Sequence, residues 1–205
     1  MITYDVTQST LDQAPRVGKY TIINGYECQI GTNVKIIGEI SIYGNVTIGN
    51  DTTIGNHAII NEDVVIGQRC HIGAKCVIDH DCFIGDYTNI GDHAYIYQHC
   101  KIGPHVYIGH ESVVGTHDLY EECGYVVIGP CSCVSYYVTI GSSVSIGHCV
   151  VIYPRVIIRP AVIIEDHVTI KEGVTICSES VIKQHSCVTP PDQHSDNNQE
   201  STKGM

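Results

Sequence analysis

An aliphatic residue recurs at every sixth position over most of this 205-residue chain. The series runs unbroken from Ile30 to Val114 and resumes, two residues out of phase, from Ile128 to Val188. An α-helix repeats its buried face every 3.6 residues and a strand every two, so neither element alone explains a period of six. The period is typical of a repeat array whose short units stack on one another. Isoleucine and valine dominate the apolar residues, which favours strands.

Each six-residue unit has the same internal order. Gly often follows the aliphatic residue, polar residues take the second and third places after it, and a small or β-branched residue takes the fourth, as in IGNDTT, IGQRCH and IGAKCV. This order resembles the hexapeptide repeat of left-handed parallel β-helices. The resemblance implies an all-β triangular prism in which three units make one coil, with the aliphatic and fourth residues pointing inward. The glycines are expected at corners that need unusual backbone angles.

The repeat divides the chain into three parts. Residues 1–23 are predicted to form an N-terminal cap, residues 24–189 the β-helix, and residues 190–205 a disordered polar tail. The 14-residue spacing between Val114 and Ile128 breaks the period, so residues 116–125 are predicted to form one loop excluded from the prism.

The composition excludes several classes of protein. A formal charge of −11 argues against binding to nucleic acid or to an anionic membrane surface. No apolar run has the length of a membrane span, and the first residues lack the core of a signal peptide. A cytoplasmic protein is the resulting expectation.

The cysteines fall into the frame of the repeat as packing residues. Five of them fall in the frame of the fourth place of the repeat and are expected to be small core side chains: Cys28, Cys70, Cys76, Cys82 and Cys100. No pair of cysteines has the CxxC spacing of a zinc site, and no metal centre is expected.

One column of polar residues differs from the others. Residues 18 apart should stack in neighbouring coils, which places Asp63, Asp81, His99 and His117 above one another, with His80 beside Asp81. Most histidines of the chain occupy the third place after an aliphatic residue, whereas His80 occupies the second. An imidazole next to a carboxylate suits proton transfer.

The triplet His80-Asp81-Cys82, followed by an aliphatic-Gly pair, resembles a motif of hexapeptide-repeat acyltransferases. These include the UDP-N-acetylglucosamine acyltransferases and sugar N- and O-acetyltransferases. The resemblance implies that His80 is the general base and that the backbone N–H of Gln98, one coil further on, stabilises the oxyanion. His99 matches a histidine beside that position in the UDP-N-acetylglucosamine acyltransferases.

A second resemblance assigns the base differently. The sequence THD at 116–118, followed by a loop and YVVIG, is similar to the loop motif of maltose and galactoside acetyltransferases, in which His117 would be the base. Either Asp81 or Asp118 would then hold the imidazole. The Trp that follows this loop in those families is absent here, and the choice between His80 and His117 stays open.

The function implied by these resemblances is acyl transfer. An acetyl or other acyl group would move from acetyl-CoA or another acyl-CoA to a hydroxyl or amine of a sugar or nucleotide-sugar. The families also imply a homotrimer, with the donor lying between adjacent prisms. A thioester donor and a small acceptor are therefore the expected partners, without a metal.

Two alternatives compete with acyl transfer. The prism can serve as a non-enzymatic scaffold or assembly subunit. It is also the fold of γ-class carbonic anhydrases, but the three places of their zinc histidines hold Gly115, Tyr136 and Gly141. Zinc hydration chemistry is therefore not expected, although His80, His99 and His117 could bind a metal in a different geometry.

Overall fold

The computed structural model is a left-handed parallel β-helix, as the repeat predicts. It describes residues 22–24, 28–116 and 124–191. Within these ranges, short strands make up three nine-stranded parallel sheets, which form the faces of the prism. No helix in this part of the chain is long and apolar enough to cross a bilayer.

The strands follow one another around the three faces in strict rotation. The first sheet contains β1 (Ile22–Asn24), β4 (Ser41–Tyr43), β7 (Ile59–Ile60), β10 (Val77–Ile78), β13 (Tyr95–Ile96), β16 (Val113–Val114), β19 (Thr139–Ile140), β22 (Ile157–Ile158) and β25 (Thr175–Ile176). The second contains β2 (Gln29–Ile30), β5 (Thr47–Ile48), β8 (Val65–Ile66), β11 (Phe83–Ile84), β14 (Cys100–Ile102), β17 (Val126–Ile128), β20 (Ser145–Ile146), β23 (Ile163–Ile164) and β26 (Val181–Ile182). The third contains β3 (Lys35–Ile36), β6 (Thr53–Ile54), β9 (His71–Ile72), β12 (Asn89–Ile90), β15 (Tyr107–Ile108), β18 (Cys133–Val134), β21 (Val151–Ile152), β24 (Thr169–Ile170) and β27 (Cys187–Val188).

The register places equivalent residues directly above one another. Ile78 pairs with Ile60 in the coil before it and with Ile96 in the coil after it. All three side chains are fully buried, and the aliphatic ladder continues in this way along the prism. The strands stack at the ordinary spacing of about 4.8 Å, so the interior is a continuous column of branched side chains.

The fourth residue of each unit also points inward, as predicted. Cys70, Cys76, Cys82 and Cys100 are buried, and Cys28 is partly buried against the same core. Their thiols do more than fill space, because several donate hydrogen bonds to corner carbonyls; the Cys76 Sγ lies 2.9 Å from the Gly91 carbonyl oxygen. Burial raises the pKa of the Cys76 thiol to about 11. The prediction of core cysteines is confirmed.

The third residue after each aliphatic position forms the turn itself. Every non-glycine residue with positive φ in the described ranges occupies this place, and the φ values lie between 52° and 62°. Asn, Asp and His adopt this left-handed conformation more readily than most side chains do, which explains why His57 and His93 lie there. These histidines follow from backbone geometry and need no chemical role.

The role expected for the repeated glycines is wrong. Of the glycines directly after the aliphatic residue that repeats every six positions, within the described ranges, only Gly115 has a positive φ. The reason for glycine is close approach: a Cβ on Gly73 would lie 2.5 Å from the Asp92 nitrogen and 2.6 Å from the Gly91 carbonyl carbon. The next coil passes too close to leave room for a methyl group.

This close approach makes a prediction for Gly73→Ala. We expect the substitution to destabilise the fold by about 1–3 kcal/mol, the usual cost of overpacking, because the coil above must shift. The midpoint and slope of urea unfolding measure this cost. Gly173→Asn is the matched control, since Gly173 has φ of +72° and nothing within 4 Å of its Cβ position. Equal unfolding midpoints for the two variants would contradict the packing explanation.

The predicted boundaries are only partly covered by the structure. The N-terminal cap and the polar tail lie outside the described residues, apart from residues 22–23 of the one and 190–191 of the other. Most of the excluded loop also lies outside them. Its last residues contact the prism: the backbone N–H of Ser143 donates to the Gly124 carbonyl oxygen at 3.4 Å.

Candidate functional site

The candidate site lies at the corner where the first sheet passes into the second. β10 ends at Ile78 and β11 begins at Phe83, so residues 79–82 make the turn between them. Because the coils are in register, residues 61–64 lie directly below this turn and residues 97–100 directly above it. Side chains far apart in sequence are thereby held on a rigid backbone at one strand spacing.

His80 is held by the carboxylate of the residue before it. The His80 Nδ1 lies 3.0 Å from the Asp79 Oδ1, and the His80 backbone N–H donates to the same oxygen at 2.9 Å. The Nδ2 of Asn61, in the coil below, also donates to this oxygen at 2.9 Å. The Asp79 side chain is only 14% exposed, so the pair has a fixed geometry.

The charge of Asp79 decides which nitrogen of His80 carries the proton. Burial raises the pKa of the Asp79 carboxyl, but the hydrogen bonds from Asn61 and His80 outweigh that effect and leave the pKa below its usual value. An ionised carboxylate can only accept hydrogen bonds. The Nδ1 of neutral His80 must therefore carry the hydrogen, which leaves a lone pair on Nε2.

The carboxylate that is hydrogen-bonded to the His80 imidazole is not the one that the sequence indicated. The prediction gave this role to Asp81 or Asp118, whereas the hydrogen-bonded partner in the structure is Asp79. Asp118 lies outside the described residues, as does His117, so the structure does not place the alternative base.

Asp81 and His99 form a second pair beside His80. The His99 Nδ1 lies 3.7 Å from the Asp81 Oδ2. The rings of His80 and His99 meet edge to face with centroids 5.5 Å apart, and the centroid of the Tyr125 ring lies 5.6 Å from that of His99. The predicted column is thus brought together at His80, Asp81 and His99, whose nearest nitrogen and oxygen atoms all lie within 4.8 Å of one another.

Gln98 lies in the coil above His80, at the equivalent corner position. It is half-buried, and the backbone N–H of its neighbour His99 donates to the His80 carbonyl oxygen at 3.2 Å. The assignment of the oxyanion to Gln98 stays a prediction from the resemblance.

A depression opens next to His80 on the side of the earlier coils. It has a volume of about 370 Å³ and is lined by Tyr43, Asn61, Glu62, Asp63 and His80. None of these five lining residues is Lys or Arg. Because the partly exposed side chain of His80 lines this depression, it can contact a small molecule held there.

The other two histidines at the second place of a unit are bound differently. The Nδ1 of His110 accepts a hydrogen bond from the Asp92 backbone N–H at 2.9 Å. The backbone N–H of His148 donates to the Asp166 carboxylate at 2.8 Å. The His148 imidazole has no described hydrogen bond or ion pair. The Asp92 carboxylate lies 3.9 Å from the His110 Nδ1, too far for a hydrogen bond. Of the three, His80 is therefore the one whose Nδ1 is described as hydrogen-bonded to a carboxylate.

A signal for Asp79 was present in the sequence. The place directly after the aliphatic residue is glycine at seven successive corners between the second and third sheets, from Gly31 to Gly147, before Glu165 and Lys183 at the last two. At the corner between the first and second sheets, four successive coils have side chains there instead: Tyr43, Asn61, Asp79 and Tyr97. This corner departs from the packing rule over the coils that contain the site.

One family model matches part of the chain. The family model described as the GMPPB C-terminal domain matches residues 42–99, which include the candidate site up to His99. No curated protein matches the chain in sequence. The family model therefore matches less than half of the chain.

Solved structures share the fold at low identity. The UDP-N-acetylglucosamine acyltransferase of Arabidopsis is 19% identical with a TM-score of 0.60, over 85% of this chain and 67% of that one. WeeI from Acinetobacter baumannii AYE is 21% identical with a TM-score of 0.46, over 63% of this chain and 51% of that one. The acetyltransferase domain of PglB from Neisseria gonorrhoeae FA1090 is 15% identical with a TM-score of 0.46, over 56% and 55%.

The likeness to the Arabidopsis enzyme confirms the fold that the repeat implied. This chain spans about half the length of WeeI and of the PglB domain. The likeness to the Arabidopsis enzyme carries the fold argument, since its TM-score is the one above 0.5 among these three. The resemblance to hexapeptide-repeat acyltransferases therefore holds at the level of the β-helix.

Proposed function

We propose that this protein is an acyltransferase that moves an acetyl or other acyl group from a thioester donor to a sugar amine or hydroxyl, with His80 as the general base. The observation that carries the proposal is the hydrogen bond between the Asp79 carboxylate and the His80 Nδ1. It leaves the basic nitrogen of a partly exposed imidazole beside a depression of about 370 Å³.

The chemistry needs one proton carrier. The Nε2 of His80 takes the proton of the acceptor amine or hydroxyl as its nitrogen or oxygen bonds to the thioester carbonyl carbon. The tetrahedral intermediate then collapses, the carbon–sulfur bond breaks, and the imidazolium returns the proton to the departing thiolate. The Asp79 carboxylate stabilises the imidazolium between these steps, because it keeps its charge at neutral pH.

The donor and the assembly follow from the family resemblance. We propose acetyl-CoA or another acyl-CoA as the donor, lying along a groove between prisms of a homotrimer. Two of the basic residues are already paired within the chain: Lys183 with Glu165 and Arg155 with Glu172, both at 2.8 Å. Donor phosphates would have to meet other cations or a neighbouring subunit.

Product formation tests the proposal directly. The full chain is incubated with acetyl-CoA and a panel of amino sugars, neutral sugars and nucleotide-sugars, with a chelator present. We expect an acceptor-dependent gain of one acetyl group, detected by mass spectrometry of the product. Product mass is preferable to a thiol reagent, because Cys131, Cys149, Cys177 and Cys187 are exposed and would react with it.

The outcome separates an enzyme from a scaffold. Acetylation of one acceptor class supports acyl transfer and identifies the acceptor. A chain that binds neither acetyl-CoA nor butyryl-CoA and modifies no acceptor would contradict the proposal and favour the non-enzymatic scaffold.

A further inference from the structure

The candidate site contains more potential ligands than a general base needs. Proton transfer by His80 requires one imidazole and the Asp79 carboxylate that orients it. Asp81 and His99 lie beside this pair, and the nearest nitrogen and oxygen atoms of His80, Asp81 and His99 lie within 4.8 Å of one another. We propose that these three residues bind one divalent transition-metal ion of the Zn²⁺ class.

The distances are close to those that a metal ion requires. Ligand atoms on one tetrahedral zinc ion lie about 3.3 Å apart, since each bond is about 2 Å long. The His99 Nδ1 and the Asp81 Oδ2 are already 3.7 Å apart. Binding one ion requires the three groups to close from separations of up to 4.8 Å to about 3.3 Å by side-chain rotation.

The backbone holds these groups in place before any ion arrives. Asp81 and His99 occupy the same turn position in neighbouring coils, with φ values of 56° and 58°. The backbone N–H of His99 donates to the His80 carbonyl oxygen, which ties the two coils together at this corner. Strands fixed at one spacing lose little freedom when the ligands converge, which favours binding.

Asp79 supplies the outer carboxylate typical of metal-bound histidines. A histidine ligand usually donates its second ring N–H to a carboxylate or carbonyl, which fixes the tautomer and the ring direction. His80 has this bond, from Nδ1 to Asp79 at 3.0 Å, so Nε2 is the ligand atom. The Asn61 amide in turn holds Asp79.

The ligand set selects the kind of ion. Two imidazoles and one carboxylate suit Zn²⁺, Co²⁺ and Ni²⁺, whereas Mg²⁺ and Ca²⁺ prefer oxygen ligands alone. The site differs from the carbonic anhydrase arrangement, whose three histidines are absent here, because all its ligands come from one corner of one chain.

Metal binding would regulate the reaction proposed above. An ion on the His80 Nε2 occupies the lone pair that accepts the acceptor's proton, so the bound ion inhibits acyl transfer. This consequence rests on the proposed function, whereas the binding itself does not.

Cobalt titration of the full chain tests the site, with Co²⁺ alone as the probe. We expect one Co²⁺ per chain, with visible absorption bands typical of tetrahedral nitrogen and oxygen ligands. His99→Asn and Asp81→Asn should each weaken binding by about ten-fold or more, since each removes a ligand or its charge. Asp79→Asn should weaken it by about 10- to 100-fold, the usual effect of an outer carboxylate. Asparagine is the natural substitution at the turn positions, where it already occurs at Asn33 and Asn45.

His93→Asn is the matched control, because His93 occupies the same turn position in another column and should bind cobalt as the unmodified chain does. Sulfur-to-cobalt charge-transfer bands that disappear in a Cys131→Ser, Cys149→Ser variant would show binding by exposed thiols and would overturn the assignment. Equal affinity in the chain with and without His99→Asn would overturn it too.

The test also separates this inference from the proposed function. Cobalt binding is measured without donor or acceptor, and acyl transfer is measured with a chelator. Transfer without a cobalt site refutes the metal inference alone. A cobalt site in a chain that transfers no acyl group refutes the proposed function alone.

Discussion

Replacing His80 with glutamine is expected to lower the rate of acyl transfer by about 10²- to 10⁴-fold, the usual contribution of a general base. Glutamine already occupies the equivalent corner positions at Gln68 and Gln98, so the turn accepts it. Its amide can still hydrogen-bond to Asp79 but cannot take up a proton. The initial rate of product formation at saturating donor, measured by mass spectrometry, gives the size of the effect.

The control for this prediction is His93→Asn, which removes a turn histidine that has no carboxylate partner described and should leave the rate unchanged. Retained activity in His80→Gln, together with its loss in His117→Ala, would show that the base is the histidine of the loop motif. The thermal unfolding midpoint of His80→Gln should match that of the unmodified chain, because the ring is partly exposed.

Truncating a single residue of the isoleucine ladder is expected to have the largest effect on stability. Ile90 is fully buried and lies between Ile72 and Ile108 in the coils before and after it. Ile90→Ala should destabilise the fold by about 2–5 kcal/mol, because the transfer energy of the lost atoms adds to the cost of a cavity. Urea unfolding followed by circular dichroism measures the loss.

The matched control is the preceding residue of the same strand. Asn89 points outward and is exposed, so Asn89→Ala should change the unfolding free energy by no more than about 0.5 kcal/mol. A comparable destabilisation by Asn89→Ala would mean that the alternation of inward and outward residues does not govern stability here.

The fold could be predicted because every six-residue unit has the same pattern of inward and outward residues. A period of six places each aliphatic residue above an equivalent one, and Ile78, Ile96 and Val114 could be assigned to one ladder from their spacing alone. The same frame identified Cys76 and Cys82 as core residues, which the burial of both confirms. The function of the glycines could not be predicted, since the close approach of the next coil is visible only in three dimensions.

The arrangement of residues at the candidate site was predicted in part. Residues 18 apart stack in neighbouring coils, which predicted that Asp81 and His99 lie together. The triplet His80-Asp81-Cys82 identified His80 as a candidate base. The partner of His80 could not be predicted, because Asp79 and Asp81 flank it equally in sequence. The available clue was the run of four coils from Tyr43 to Tyr97 that have no glycine at this place, which gives Asp79 a side chain beside His80.

The sequence by itself determined the β-helix, the inward residues and the column of polar residues on one corner, because a constant coil length converts spacing into position. The tertiary structure decided which carboxylate binds which imidazole. Asp79 turns toward the His80 Nδ1 and the Asn61 amide from the coil below, while Asp81 turns toward His99 in the coil above. These choices depend on side chains 18 residues away meeting at contact distance, since hydrogen bonds require the direction of each group as well as its place along the chain.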